Sequence, residues 1–514
     1  MKRRKLIRGV VGVSLCVIGF FLARVGAYRE TAVLIDAGGC RMVADVLDKG
    51  NDATQGSVVL FHGLAANKKV MSYIARGFAE QNLRVFVPDL PGHGRTEGPF
   101  SFERAESCAE SFFRQLVARR AIDPARTILA GHSMGGAIAA RLAARNPVAG
   151  VVTISPAPMA AAHGIRAAML LYQGAPAIVS NTLVISASGE PSFMRDSARD
   201  LVAAHPADGD QYLLVPHATH VSLLFDSRVA RASEEWARSV LHLDASGGVP
   251  SGWPLLGGLL GLAGLLILAG PFLREIVEPP TGAEIENSAV AARKSTHTAD
   301  TAAPSVLRGC MEVLAVSVAG VLLLRVGDPL RFLGIFEGTY FASFLLIAGI
   351  GLLLVHYKTA SKLRIGKFAL LLATAFGAVV LFLLVTGWLD LTITEAWLNG
   401  ARWARFPVMA CAVFPYHLAE ELLLGSYAAR SGWRRVLFAL LLRLVAGVVL
   451  VGAIFLLHSG AILLVLLALY FVVVSALQRA GMDVVRKGTG SALAAAVFGA
   501  ILLAGFCLVI FPIK

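Results

Sequence analysis

Nine stretches of this chain are each about 20 residues long and almost wholly apolar, at 6–27, 253–273, 306–324, 336–357, 368–389, 406–427, 436–457, 460–478 and 490–512. A bilayer core of about 30 Å is crossed by roughly 20 apolar residues in a helix. Most of the chain is therefore predicted to lie in lipid, and the lipid bilayer is its first expected partner. Composition agrees, with 56% hydrophobic and 16% charged residues, where soluble domains carry about 25% charged. Disorder and collagen-like structure are excluded. Six cysteines in 514 residues are too few for a disulfide-stapled scaffold.

The formal charge of +13 raises the question of nucleic acid, which its location answers. Residues 28–250 contain 21 Lys+Arg and 21 Asp+Glu, so this stretch is neutral and the whole excess lies among the apolar runs. Nucleic-acid binding needs a basic face on a folded soluble domain, and that function is excluded. The excess instead reads as an orientation signal. With the N-terminus in the cytoplasm, the cytoplasmic loops hold 13 basic residues: Arg274, Arg293, Lys294, Lys358, Lys362, Arg364, Lys367, Arg430, Arg434, Arg435, Arg479, Arg486 and Lys487. The opposite loops hold only Arg325, Arg331, Arg402 and Arg405. The first run follows Met1-Lys2-Arg3-Arg4-Lys5 and lacks a small-residue cleavage pattern, so an uncleaved signal anchor is expected. The predicted organisation is a signal anchor over 1–27, a soluble domain over 28–244 and a linker over 245–252. An all-α membrane domain of about eight transmembrane helices follows over 253–514, with a polar cytoplasmic loop at 275–304. A re-entrant run at 460–478 would reverse the C-terminus without moving the soluble domain.

Within 28–244, short β-branched runs at 31–36, 41–47, 57–62, 84–88, 126–132, 148–155, 181–186 and 211–215 alternate with helical patterns. The first two form an antiparallel pair, and the others predict a mostly parallel sheet of an α/β fold. Chemistry in such sheets gathers at the carboxyl ends of the strands. There the chain reads Gly131-His132-Ser133-Met134-Gly135, a G-x-S-x-G turn between a buried strand and a helix. The small residues allow a sharp turn that lifts a serine hydroxyl above the sheet.

Three stretches, Val58-Val59-Leu60-Phe61-His62-Gly63, Asp89-Leu90-Pro91-Gly92-His93-Gly94-Arg95 and Gly131-His132-Ser133-Met134-Gly135-Gly136, resemble the α/β-hydrolase family. The likeness is to its monoacylglycerol-lipase and serine-aminopeptidase-like branch, over about 30–243. The resemblance implies a triad in the order serine, acid, histidine. Ser133 is the implied nucleophile. Glu190-Pro191 follows the strand at 181–186 where the family has an acid, with Asp196 as the rival. His220 matches the base, with His217 nearby. Backbone N–H groups of Leu64 and Met134 are the implied oxyanion hole, and Gly131 and Gly135 frame the nucleophile elbow. His62 and His93 are expected to be structural. The interval 156–180 is short and rich in Ala, Met and Leu, so it predicts at most a small apolar flap and favours an acyl chain or lipid substrate.

In the membrane part, His417, Glu420 and Glu421 share a helix face. The Glu pair is similar to that of CAAX-type intramembrane proteases, but Gly425 stands where those have Arg, and their F-x-x-x-H is only Phe455-Leu456-Leu457-His458. A hairpin turning near Gly432 would instead bring Glu420 or Glu421 level with Arg443, and a structural ion pair is expected there. Cys40 and Cys108 are the two cysteines of the exported domain and allow one disulfide. No cofactor or metal site is expected. The expected protein is a membrane-anchored serine esterase or lipase in the cell membrane, its hydrolase domain outside the cytoplasm. An acyltransferase using the same triad, and a transport or sensor protein whose domain only binds, are the alternatives.

Overall fold

A computed structural model describes residues 2–26, 29–49, 54–159, 181–203, 211–243, 247–277, 306–361, 363, 368–427, 432–457 and 461–514. Most of the expected apolar flap and of the cytoplasmic loop lies outside these residues, as does His458. The chain divides into two compact units. One comprises Val17–Gly261 with Gly387–Trp397 and Ile510–Lys514; the other comprises Met1–Cys16, Leu262–Thr386 and Leu398–Val509.

The first unit is built on eight strands: β1 (Arg29–Ala37), β2 (Cys40–Asp48), β3 (Gly56–Phe61), β4 (Leu83–Pro88), β5 (Thr127–His132), β6 (Gly150–Ile154), β7 (Thr182–Ala187) and β8 (Gln211–Val215). Their order across the sheet is β1-β2-β4-β3-β5-β6-β7-β8. The β1–β2 hairpin, turning at Gly38-Gly39, pairs antiparallel and joins β4 antiparallel; β3 to β8 run parallel. Strands buried on both faces lose the alternation of a half-exposed strand, which is why Val58-Val59-Leu60-Phe61 is an unbroken apolar run. Alternate residues still point to opposite sides. Val58, Leu60, Ile128, Ala130, Val152, Ile154, Leu183 and Ile185 share one core cluster with residues of α2 (Ser72–Glu80) and α6 (Ser227–Leu241). Helices α3 (Phe102–Ala118) and α4 (Met134–Ala143) pack on each other, and α4 packs on β3, β5 and β6. Ser101 caps α3 and Asp226 caps α6, each accepting a hydrogen bond from a first-turn N–H. Cys40 and Cys108 are joined in a disulfide that ties β2 to α3.

The second unit is helical. Among the described residues, eight helices are long and apolar enough to cross a membrane: α7 (Trp253–Val277), α8 (Val306–Leu324), α9 (Gly338–Val355), α10 (Phe368–Thr392), α11 (Gly400–Tyr427), α12 (Gly432–Leu456), α13 (Ala468–Thr489) and α14 (Ala492–Ile510). α1 (Lys2–Leu22) adds a shorter apolar helix. Small residues let these helices approach closely: a Cβ on Gly349 of α9 would strike the Pro415–Tyr416 backbone of α11. One run differs from its expected bounds. The stretch predicted at 460–478 is a short helix, Ile462–Leu466, followed by α13, which extends to Thr489. Arg479, expected in a cytoplasmic loop, is instead fully buried inside α13. Hydropathy misplaces it because its charge is neutralised by Glu420 and Glu421 of α11, together with Asp483 one turn further along α13, and the first two are a feature of contacts and not of local composition. Likewise Arg402, expected in a loop, is buried in α11 and donates to the Leu508 carbonyl.

Glu234 of α6 is buried opposite Gln81, whose Nε2 donates to it at 3.3 Å. Burial first, and then the neighbouring Glu80 and Glu235, push its carboxyl up from the ordinary 4.5 to about 7, against the opposing pull of Gln81 and Arg231. A group raised on folding stabilises fully below its unfolded pKa, and that contribution is lost as pH rises to the folded value. Between pH 4.5 and about 7 the hydrolase unit is expected to lose stability through Glu234. In the full-length protein, the thermal midpoint of this unit should fall between about pH 5 and 8 by more in the wild type than in Glu234→Gln. Equal falls would refute the assignment.

Candidate functional site

The parallel strands end at one edge of the sheet, and the candidate residues lie on the loops that leave it. β5 runs into Ser133, whose backbone is at φ 54° and ψ −118°, a region that residues with a Cβ rarely adopt. The tight turn requires its glycines: a Cβ on Gly131 would collide with the Gly135 carbonyl, and one on Gly135 with the Phe61 carbonyl. The strain is held by hydrogen bonds on both sides, from Ser133 N–H to the Ile154 carbonyl at 3.0 Å and from Ala157 N–H to the Ser133 carbonyl at 2.9 Å. Met134 opens α4, so its N–H has no intrahelical acceptor. The second candidate donor, Leu64, lies in a turn closed by Ala66 N–H to the Gly63 carbonyl at 3.2 Å. That turn abuts the elbow, since a Cβ on Gly63 would come within 3.1 Å of Ser133 Cβ.

Glu190 follows β7 and His220 follows β8. Nδ1 of His220 donates to Glu190 Oε1 at 2.6 Å. The same carboxylate receives the Ala187 N–H on Oε2 at 3.0 Å and the Ser155 hydroxyl on Oε1. Burial alone would raise the Glu190 carboxyl, but hydrogen bonds and charge from His220, then Ser155 and the Ala187 N–H, hold it below its ordinary value. It is an anion at neutral pH. The rivals lie elsewhere. Asp196 sits in α5 (Ser192–Ala203), 3.8 Å from Arg199, and the exposed His217 gives its backbone N–H to Ser188.

Two participants escape a reading of the motifs. Ser155, the first residue after β6, has its Oγ 2.7 Å from His220 Nδ1 as well as on Glu190. Its place between the elbow strand and the acid strand was the available signal. His132, the variable position of G-x-S-x-G, has Nε2 2.9 Å from the His220 carbonyl. Burial, and then the His220 charge, lower its pKa to about 3, so the ring is neutral and donates. His62 and His93 are buried supports: His62 Nε2 accepts from Leu90 N–H at 2.9 Å, and His93 Nε2 accepts from Ala65 N–H at 3.2 Å.

A serine on a strained strand–helix turn above a mostly parallel sheet, and a carboxylate-bound histidine whose carbonyl meets the adjacent His132, define a class. This part of the chain belongs to the α/β-hydrolase family, in its lipase and serine-aminopeptidase-like branch. The family model described as Serine aminopeptidase, S33 matches residues 52–209. The monoacylglycerol lipase of Mycolicibacterium smegmatis is 32% identical over 193 residues, which is 36% of this chain and 66% of the lipase. Similar solved structures include a thermophilic esterase from Thermogutta terrifontis, 17% identical with a TM-score of 0.33, over 41% of this chain and 99% of that one. A soluble variant of monoglyceride lipase from Saccharomyces cerevisiae is 13% identical with a TM-score of 0.34, over 42% and 97% respectively.

The second set of candidate residues lies in the helical unit. Arg443 of α12 grips Glu420 of α11 in a fork, Nε to Oε1 at 2.7 Å and Nη2 to Oε2 at 2.8 Å. Glu421 pairs instead with Arg479 at 2.5 Å and Arg435 at 2.6 Å. Arg479 also meets Glu420 at 3.2 Å and Asp483 at 2.8 Å, so α13 closes the network. His417 accepts a hydrogen bond from Gln478 at 3.1 Å. Sequence distance from the α11–α12 turn identified Arg443; nothing local marked Arg479. Removing one partner of a buried pair strands a charge and costs about 3–5 kcal/mol, whereas apolar replacement of both is far milder. Arg443→Ala should therefore lower the unfolding midpoint of detergent-solubilised protein, and Glu420→Gln/Arg443→Met should recover most of the loss. An unchanged Arg443→Ala midpoint would refute the pairing.

Proposed function

We propose that the protein is a membrane-embedded serine hydrolase that cleaves carboxylic esters, with an acyl-chain or lipid substrate. The observation that carries this reading is the 2.6 Å bond from His220 Nδ1 to an ionised, buried Glu190, with the His220 carbonyl on His132, the residue before the strained serine. The resemblance to a monoacylglycerol lipase supports an ester in preference to a peptide.

In this mechanism Ser133 Oγ attacks the ester carbonyl while His220 Nε2 takes its proton. The tetrahedral oxyanion is met by the N–H groups of Met134 and Leu64, each typically worth about 10²–10³ in rate. Glu190 holds the tautomer and stabilises the imidazolium. His220 then protonates the departing alkoxide. Water attacks the acyl-enzyme, giving its proton to His220, and the carboxylic acid leaves as Ser133 is regenerated. Ser155 fixes Glu190 and the ring together.

The apolar helices are read as membrane crossings, with the N-terminus cytoplasmic and the hydrolase unit outside. The Cys40–Cys108 disulfide supports that side, because such bonds persist in oxidising compartments. An anchor followed by eight crossings returns the C-terminus to the hydrolase side. In agreement, Ile510–Lys514 packs as part of the hydrolase unit.

Labelling with a fluorophosphonate and hydrolysis of p-nitrophenyl butyrate test the chemistry. Both should be lost in Ser133→Ala, and Glu190→Gln should lower kcat by up to about 10⁴. Wild-type protein that labels no better than Ser133→Ala would overturn the enzyme reading. A periplasm-active reporter fused after Asp244 should be active; activity of a cytoplasm-only reporter there would overturn the topology.

A further inference from the structure

The turn that carries Leu64 continues into Asn67 and Lys68, and both residues are buried. They meet a segment of chain more than 300 positions away, Gly387–Trp397, the end of α10 and the residues that follow it, which packs as part of the hydrolase unit. Asn67 Nδ2 donates to Thr394 Oγ1 at 2.8 Å and to the Glu395 carbonyl at 3.2 Å, while its Oδ1 accepts the Glu395 N–H at 3.2 Å. One carboxamide thus makes three bonds to two consecutive residues. Next to it, Lys68 Nζ is paired with Glu395 and lies 3.0 Å from Asp89. Arg95 Nε reaches Glu395 at 3.2 Å and its Nη2 reaches Asp390 at 3.2 Å. The segment is itself pre-shaped: Asp390 Oδ1 accepts the N–H groups of Ala396 and Trp397 at 3.1 and 3.2 Å.

This arrangement grips the residues immediately after the oxyanion turn. From the other side, Ala65 is held at φ 60° with its N–H on His93. Both supports follow Leu64 directly in the chain, in the turn whose Gly63 lies against Ser133. An oxyanion donor works only if it is already aimed where charge will develop, and aim is set by the groups behind it.

We propose that Thr394 and Glu395 form a hook that positions the oxyanion turn, so that Asn67, Thr394 and Glu395 are positioning residues for catalysis and a segment far along the chain completes the support of the turn. This inference rests on the reading of Ser133 as nucleophile. The hook touches no reacting atom. Its effect falls on the transition state, where the oxyanion exists, and leaves substrate binding alone.

The test uses full-length protein in lipid nanodiscs with p-nitrophenyl butyrate as substrate. Asn67→Ala should lower kcat about 10-fold with KM within about twofold, a fraction of what a whole oxyanion donor is worth. Thr394→Val, which keeps shape and removes the acceptor, should lower kcat about threefold, and Thr394→Ser, which keeps the hydroxyl, should restore it. The Thr394 pair decides the matter even where Asn67→Ala fails to fold. If Asn67→Ala and Thr394→Val keep kcat within the scatter of an active wild type, or lower only the unfolding midpoint, the hook is overturned and the nucleophile stands. If the wild type shows no Ser133-dependent turnover, both inferences fall.

Discussion

A serine held at φ 54° persists only where its surroundings leave it no alternative. Here those surroundings are two glycines that let chain pass through chain, a buried parallel sheet and a helix that starts at the next residue. Everything catalytically suggestive is referred to that one point. The turn that carries Leu64 abuts it through Gly63, and Ser155 extends from the strand that accepts the Ser133 N–H. Glu190 and His220 arrive from the next two strands in the sheet. The cost of the strain is spread over a core whose strands are shielded on both faces.

Much of this was legible from residue order. A strand–turn–helix around G-x-S-x-G is written in consecutive residues, so Gly131, Ser133 and Gly135 could be placed without a fold. Glu190 and His220 were accessible because each follows an apolar strand at a short distance. Ser155 was not, because a serine after a strand is common and its value lies in meeting Glu190, 35 positions later. The helical unit behaves in the same way. Arg443 was found by counting from a turn, a local operation, whereas Arg479 looked like the end of a hydrophobic run. Its charge is concealed by Glu420 and Glu421 of another helix as well as by Asp483 of its own.

The two units also treat charge differently. In the hydrolase unit, burial shifts single groups: it silences His132 as a base, whereas Glu190 stays ionised because donors surround it. In the helical unit, acids and arginines from three helices interlock, so that no member of the set stands alone. The first arrangement tunes protons for chemistry. The second specifies which helices are neighbours, because only one packing brings Glu420, Glu421, Arg435, Arg443, Arg479 and Asp483 together.

The residues that follow α14 have a consequence of their own. Ile513 exchanges backbone hydrogen bonds with Gly92 and Phe100, at 3.2 and 2.7 Å, within the loop that follows β4. The hydrolase unit therefore keeps an unfilled position until the residues that follow α14 have been made. Biogenesis cannot run strictly from front to back. Maturation of the hydrolase unit reports on synthesis of the chain as far as Ile513, and a product that stops before that residue lacks these bonds.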